Sequence, residues 1–285
     1  MTSSDRDTAP RFLSVRGRRT RYVISGDGPP VVLLHGIGRS LEDWSEVLHR
    51  LAEAHTVYSV DLAGFGESER LGTPTDLPSL ARAVADFLDE AGETRRIRLV
   101  GNSLGGAVAL QTTALFPDRV VALVLVDSAG FGSGVTPALR ILGVPGLGRL
   151  LLRPTRILAG PRARSVFYDH SLATQERIDL LQRLSRRPGA SDVFLETARS
   201  LATWRGIRPE WRRELIAKVA ALDLPVLLLW GSEDRILPPR QLEQARKAFP
   251  DAESHFFPRT GHMPQLERPD EFFEIVDKFL KQVDE

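Results

Sequence analysis

The chain has 285 residues, 42% hydrophobic and 26% charged, which are ordinary proportions for one large globular domain or a domain carrying an insertion. It has no cysteine, which excludes disulfide frameworks, thiolate catalysis and cysteine metal sites, and suits a reducing cytoplasm. A net charge of +1 argues against a general nucleic-acid binder.

The segment Met1–Pro10 is polar, carries Asp5 and Asp7 and lacks the apolar stretch of a signal peptide, so residues 1–11 read as a flexible lead. The longest apolar run, Val120–Val126, is too short to span a bilayer. A cytoplasmic protein without a membrane span is the expectation.

Phe12–Val15 and Arg21–Ser25 alternate polar and apolar residues, as an antiparallel edge would. Strand candidate Val31–Leu34 follows, then helix Leu41–Ala54, strand Thr56–Val60, helix Leu77–Glu90 and strand Ile97–Val100. Helix Gly106–Phe116 stops at Pro117 and leads to strand Val120–Val126. The alternation predicts βαβ units and a parallel sheet. The near-continuous apolar character of the later strands predicts helices on both faces.

From Phe131 to about Leu222 the rhythm breaks. Gly143, Pro145, Gly146, Gly148 and Pro154 punctuate the first third, and helical patterns fill the rest. A helical insertion after the sixth strand, lying over the C-terminal strand edge, is the simplest reading. Strand Val226–Trp230, helix Pro239–Ala248, strand Ser254–Phe257 and an amphipathic helix from Pro269 to Gln282 complete the chain. The expectation is therefore an α/β core over 1–130 and 216–285, with eight mostly parallel strands, and a helical insertion over 131–215. Leu139, Ile141, Leu142, Leu147, Phe167 and Trp204 are its candidate pocket residues. From Phe131 to Leu215 there are 15 Arg, no Lys and 7 acidic residues. This basic stretch reads either as a solvated face or as a lid favouring an anionic small-molecule substrate.

Ser103 sits in Gly101-Asn102-Ser103-Leu104-Gly105-Gly106, between a strand and a helix. Such a turn projects the hydroxyl from the sheet edge and aims the helix's positive end at it. Serine needs a base, and the base needs a carboxylate to orient it. Among six histidines, His262 in Thr260-Gly261-His262-Met263-Pro264 follows the last strand and lies at the same edge. Asp234, after the penultimate strand, is the candidate acid. Adjacent Glu233 reads as a surface carboxylate, and Asp127, at the end of Val120–Val126, is the other acid within reach of the histidine. The backbone N–H groups of Leu104 and of Ile37, in His35-Gly36-Ile37-Gly38, are the candidate oxyanion donors, with His35 bracing that loop. The glycines of Asp61–Ser68 match no phosphate-binding pattern, since no Walker lysine or helix-opening G-x-G-x-x-G accompanies them. No histidine pair has metal-ligand spacing. Neither cofactor nor metal is expected, and the oligomeric state is left open.

HGIG at 35–38, DLAGFGES at 61–68, GNSLGG at 101–106, GSEDRILPP at 231–239 and TGHMPQLERP at 260–269 together resemble the α/β-hydrolase superfamily, from about Phe12 to the final helix. The resemblance implies the α/β-hydrolase fold, with the insertion as a substrate-selecting helical cap. It also implies a triad in the order Ser103, Asp234, His262. A serine nucleophile separates the chain from the dehalogenases and epoxide hydrolases of the superfamily, which use aspartate. Hydrolysis of a small carboxylic ester or lactone is the favoured activity. Carbon–carbon bond hydrolysis of aromatic ring-fission products is the alternative, since Asn102 and the cap resemble those enzymes. HGIGRS and Met263 depart from them, as they usually carry His-Gly-x-Gly-Pro-Gly and a tryptophan after the histidine. A non-catalytic ligand receptor is the third reading.

Overall fold

In strand β3 (Pro30–Leu34), Val32 and Leu34 join one apolar cluster and Val31 and Leu33 the other. Successive side chains of a strand point to opposite faces, so a strand apolar at every position requires cover on both sides. The computed structural model, which describes residues 9–142, 148, 152 and 155–284, provides that cover. The strands are β1 (Arg11–Val15), β2 (Arg18–Ser25), β3, β4 (Thr56–Val60), β5 (Ile97–Asn102) and β6 (Val120–Val126), followed by a hairpin of β7 (Ala202–Thr203) and β8 (Gly206–Ile207), then β9 (Val226–Gly231) and β10 (Glu253–Phe257). Eight of them form one sheet in the order β1-β2-β4-β3-β5-β6-β9-β10. β1 and β2 pair antiparallel, as do β2 and β4, and every other pair is parallel. Arg11, which the sequence reading assigns to the lead, pairs with Tyr22 in the sheet.

Helices α1 (Ser45–Leu51) and α11 (Pro269–Asp284) cover one face; α2 (Leu77–Glu90), α3 (Leu104–Leu115) and α8 (Pro209–Ala220) cover the other. The expected helix Leu41–Ala54 is divided into a 3-10 turn at Leu41–Trp44 and then α1. Asp61 Oδ1 accepts the Leu41 N–H at 2.7 Å and ties the turn to the sheet.

Between β6 and β9 lie α4 (Pro137–Leu142), α5 (Arg156–Arg164), α6 (Gln175–Ser185), α7 (Ala190–Leu201), the β7–β8 hairpin and α8. The hairpin is unforeseen by the sequence reading, its strands being only two residues long. Gly143, Pro145, Gly146, Leu147 and Pro154 lie outside the described residues, as do the side chains of Leu139 and Leu142. α8 runs unbroken through residues 215 and 216 and packs on α3, burying Leu215 and Val219. Among the described residues no helix is long and apolar enough to cross a membrane.

Candidate active site

β5 ends at Asn102 and α3 begins at Leu104, leaving Ser103 alone to make the turn. Its φ of 56° and ψ of −113° lie where a residue with a Cβ is strained. The neighbours hold it there. The Ser103 N–H donates to the Val126 carbonyl at 2.9 Å, and its own carbonyl accepts the Ala129 N–H at 3.1 Å. A Cβ at Gly105 would stand 2.0 Å from the Leu34 carbonyl oxygen, so only glycine lets α3 start this close to β3. The G-x-S-x-G spacing is thus a packing requirement that exposes one hydroxyl to a cavity.

His262 follows β10 in the loop before helix α10 (Pro264–Glu267). Its Nδ1 lies 2.7 Å from Asp234 Oδ2. A carboxylate only accepts, so Nδ1 carries the proton and the Nε2 of a neutral ring keeps its lone pair. Asp234 Oδ1 accepts the N–H groups of Ile236 and Leu237 at 2.7 and 3.0 Å, which fixes the carboxylate. Glu233 is exposed. Asp127 is fully buried and accepts the Gly231 N–H on Oδ1 at 3.0 Å. Burial, with neighbouring Asp234 second, pushes its carboxyl well above the usual range. Oδ2 has no hydrogen-bond partner, so the neutral acid fits this position. The imidazole is oriented by Asp234. Asp127, Asp234 and His262 also bring ligand-type atoms within 4.8 Å of one another. The hydrogen-bond length between Nδ1 and Oδ2 leaves no space for an ion between those two atoms.

Ile37 lines the cavity beside Ser103, in a turn closed by the Arg39 N–H on the Gly36 carbonyl at 3.2 Å. Leu104 opens α3, and the first four amides of a helix have no partner within it. His35 is buried away from the cavity; Nδ1 lies 2.8 Å from the Gly36 carbonyl and Nε2 accepts the Leu62 N–H at 3.0 Å.

Three residues with structural roles at the site are not singled out for them by sequence pattern. Asn102 Nδ2 donates to the carbonyls of Val126 and His262 at 3.2 and 3.1 Å, linking the Ser103 turn to the His262 loop. Asp61 accepts the N–H groups of Leu41 and Glu67, both at 2.7 Å, and is buried beside Arg21. Burial raises its carboxyl above the usual range. Glu267, five residues after His262, accepts the Gly261 N–H at 2.7 Å, and burial raises its carboxyl too. Their only sequence signal is membership of the quoted motifs.

The cavity holds about 910 Å³ between the strand ends and the segment joining β6 to β9. Among the described residues, Arg39, Arg70, Arg162 and Arg187 line it, as does the acidic Glu69. Arg39 pairs with Asp43 and Arg70 with Glu196, while Arg187 donates to the backbone carbonyls of Gly66, Glu67 and Ser68. Of the expected pocket residues, Ile141 lines the cavity, whereas Phe167 is buried in a small cluster beside it. Trp204 stands 62% exposed at the hairpin turn, outside the cavity wall.

Residues 29–269 match the family model described as "alpha/beta hydrolase fold". The dihydrolipoyllysine-residue acetyltransferase component of the acetoin cleaving system from Cupriavidus necator is 33% identical over 277 residues, covering 97% of this chain and 70% of its own. The 2-hydroxymuconate semialdehyde hydrolase of a Pseudomonas species is 31% identical over 284 residues, covering 96% of this chain and 94% of its own. Among solved structures, a meta-cleavage product hydrolase from Pseudomonas fluorescens superposes with a TM-score of 0.81 at 26% identity, covering 95% of this chain and 97% of that one.

Proposed function

Because the chain belongs to the α/β-hydrolase family, we propose that it is a serine hydrolase cleaving a small carboxylic ester or lactone through a covalent acyl-enzyme. The observation carrying this reading is the 2.7 Å His262–Asp234 contact beside a cavity lined by both His262 and Ser103. His262 Nε2 takes the Ser103 proton as Oγ attacks the carbonyl carbon, and the N–H groups of Ile37 and Leu104 receive the oxyanion. Collapse breaks the carbon–oxygen bond, and the imidazolium returns its proton to the departing alkoxide. Water, deprotonated by the same ring, then releases the acid and restores the serine. Asp234 orients the ring and stabilises its cation.

The segment over residues 131–215 acts in this reading as a cap that roofs the cavity and selects the substrate. The arginine excess of residues 131–215, 15 Arg against 7 acidic residues, supports an anionic acyl or alcohol group. This reading takes the enzyme to be cytoplasmic, which fractionation of the native cells would check.

A relative named 2-hydroxymuconate semialdehyde hydrolase, similar over almost its whole length, favours carbon–carbon bond hydrolysis as the second reading. A panel of p-nitrophenyl esters assayed beside dienoate ring-fission products separates the two. Ester turnover with inert dienoates supports the first, and the reverse supports the second. Ser103→Ala should abolish fluorophosphonate labelling and lower turnover about 10⁴-fold or more. Absence of labelling in the folded wild-type chain would turn the reading toward a ligand receptor.

A further inference from the structure

The histidine loop is bound on its outer side by chain that belongs to the segment over the cavity. The His262 N–H donates to the Val166 carbonyl at 2.8 Å. The Gly261 N–H donates to Glu267 Oε1 at 2.7 Å, while Glu267 Oε2 accepts the N–H groups of Tyr168 and Asp169 at 2.8 and 3.3 Å. One carboxylate therefore spans two segments nearly a hundred residues apart and bonds the backbone of both. The packing repeats the connection. A Cβ at Gly261 would stand 2.7 Å from Val166 O and from Tyr168 N, so glycine precedes the histidine because backbone from the insert lies directly against it. Ala163, Phe167 and Ala173 of the insert bury a small apolar cluster with Met263 and Leu266, which flank the same loop.

Resting on the serine-hydrolase reading above, we propose that Glu267 is a positioning residue coupling the seating of insert residues 166–169 to the position of the His262 imidazole. The carboxylate accepts on both oxygens at once, so neither the histidine loop nor the insert segment shifts without breaking a bond to the other. An insert seated on Glu267 thereby completes the base, and an insert lifted from it leaves the base unsupported. Displacements of about 1 Å in a catalytic group cost up to about 100-fold in rate, which makes such coupling consequential.

Glu267→Gln is the test, because the amide has one acceptor oxygen and its NH₂ faces an N–H donor on one side. The coupling predicts that kcat on a small acetyl ester falls about tenfold or more, with KM little changed and fluorophosphonate labelling of Ser103 slowed in parallel. It also predicts that hydrogen exchange at residues 166–169 and 261–262 accelerates together. Gly261→Ala, whose Cβ would press on Val166 O, Tyr168 N and Glu267 Oε1 and so force the same contacts apart, should give the same pattern. Wild-type kcat and labelling with only a lowered Tm would overturn the coupling, as would accelerated exchange in one segment alone. Should Glu267→Gln fail to fold, exchange in the wild-type chain decides: the two segments must open as one unit, and separate opening sinks the idea. Failure of the hydrolase reading looks different, since the wild-type chain itself would then neither turn over esters nor label at Ser103.

Discussion

Strands β3, β5 and β9 are buried at every position and owe their place to apolar contact on both faces. The insert helices α6 and α7 bury far less, Leu184 alone on α6 and Val193, Leu195 and Thr197 on α7. Polar links join them to the core, Arg177 with Glu46 and Glu196 with Arg70 and Thr75 among them, while Val193 joins the main apolar cluster. Apolar packing fixes position to fractions of an ångström because a displaced strand would open voids on both sides. Exposed ion pairs hold position loosely and are screened by salt. Ser103, Asp234 and His262 thus stand on the tightly packed half, and much of the cavity wall stands on the half with fewer buried side chains. Glu267 belongs to neither pattern, being a partly buried polar link that bonds the backbone of both halves.

The sharpest challenge to this division concerns the acid. Asp234→Asn should reduce kcat by about 10³–10⁴-fold, because the amide no longer holds the imidazole in the required tautomer. Asp127→Asn should change kcat less than about threefold, because the amide is an isostere whose oxygen can still accept the Gly231 N–H. A large loss in the second variant would move the orienting role to Asp127. Its raised carboxyl also sets a stability slope. The folded chain keeps a proton that the unfolded chain has lost, so the contribution is full below about pH 4 and declines as pH rises towards the folded value, by about 1.4 kcal/mol per unit. Asparagine does not titrate, so the Tm of Asp127→Asn should fall less than that of the wild type as pH rises above about 4.

A smaller effect compares packing in the two halves. Leu229→Ala in β9 should lower the unfolding free energy by about 2–5 kcal/mol, since the fully buried site cannot collapse. Leu184→Ala, on α6 at the cavity wall, should cost less in urea denaturation and shift acyl-chain preference instead. Equal losses in both would remove the contrast. Smallest of all, Glu196→Ala should cost at most about 1 kcal/mol, and the difference should vanish in high salt.

Much of the core was legible. Thr56–Val60, Val120–Val126 and Leu77–Glu90 fall at the bounds read from hydrophobic pattern, because each is apolar on the faces it buries and is bounded by a turn or a cap. Asp76, for example, caps α2 by accepting the Ser79 N–H. The two-residue hairpin was not legible, because so short a pairing leaves no periodicity. Nor was the position of Trp204, whose bulk suggests a pocket but whose place at a turn leaves it in solvent.

Residue order alone put Ser103, Asp234 and His262 at the ends of strands, since each follows a run whose apolar pattern fixes where the strand stops. Choice between the two nearby acids required the fold. Asp127 and Asp234 both follow neighbouring strands, and the bond geometry gives Asp234 to the imidazole while Asp127 stays buried, its carboxyl pushed up by that burial. The bridge from Glu267 to Tyr168 is likewise invisible in sequence. Hydrogen bonds between backbone amides and a distant carboxylate carry no residue signature on the donor side, so only tertiary packing decided which amides it would meet.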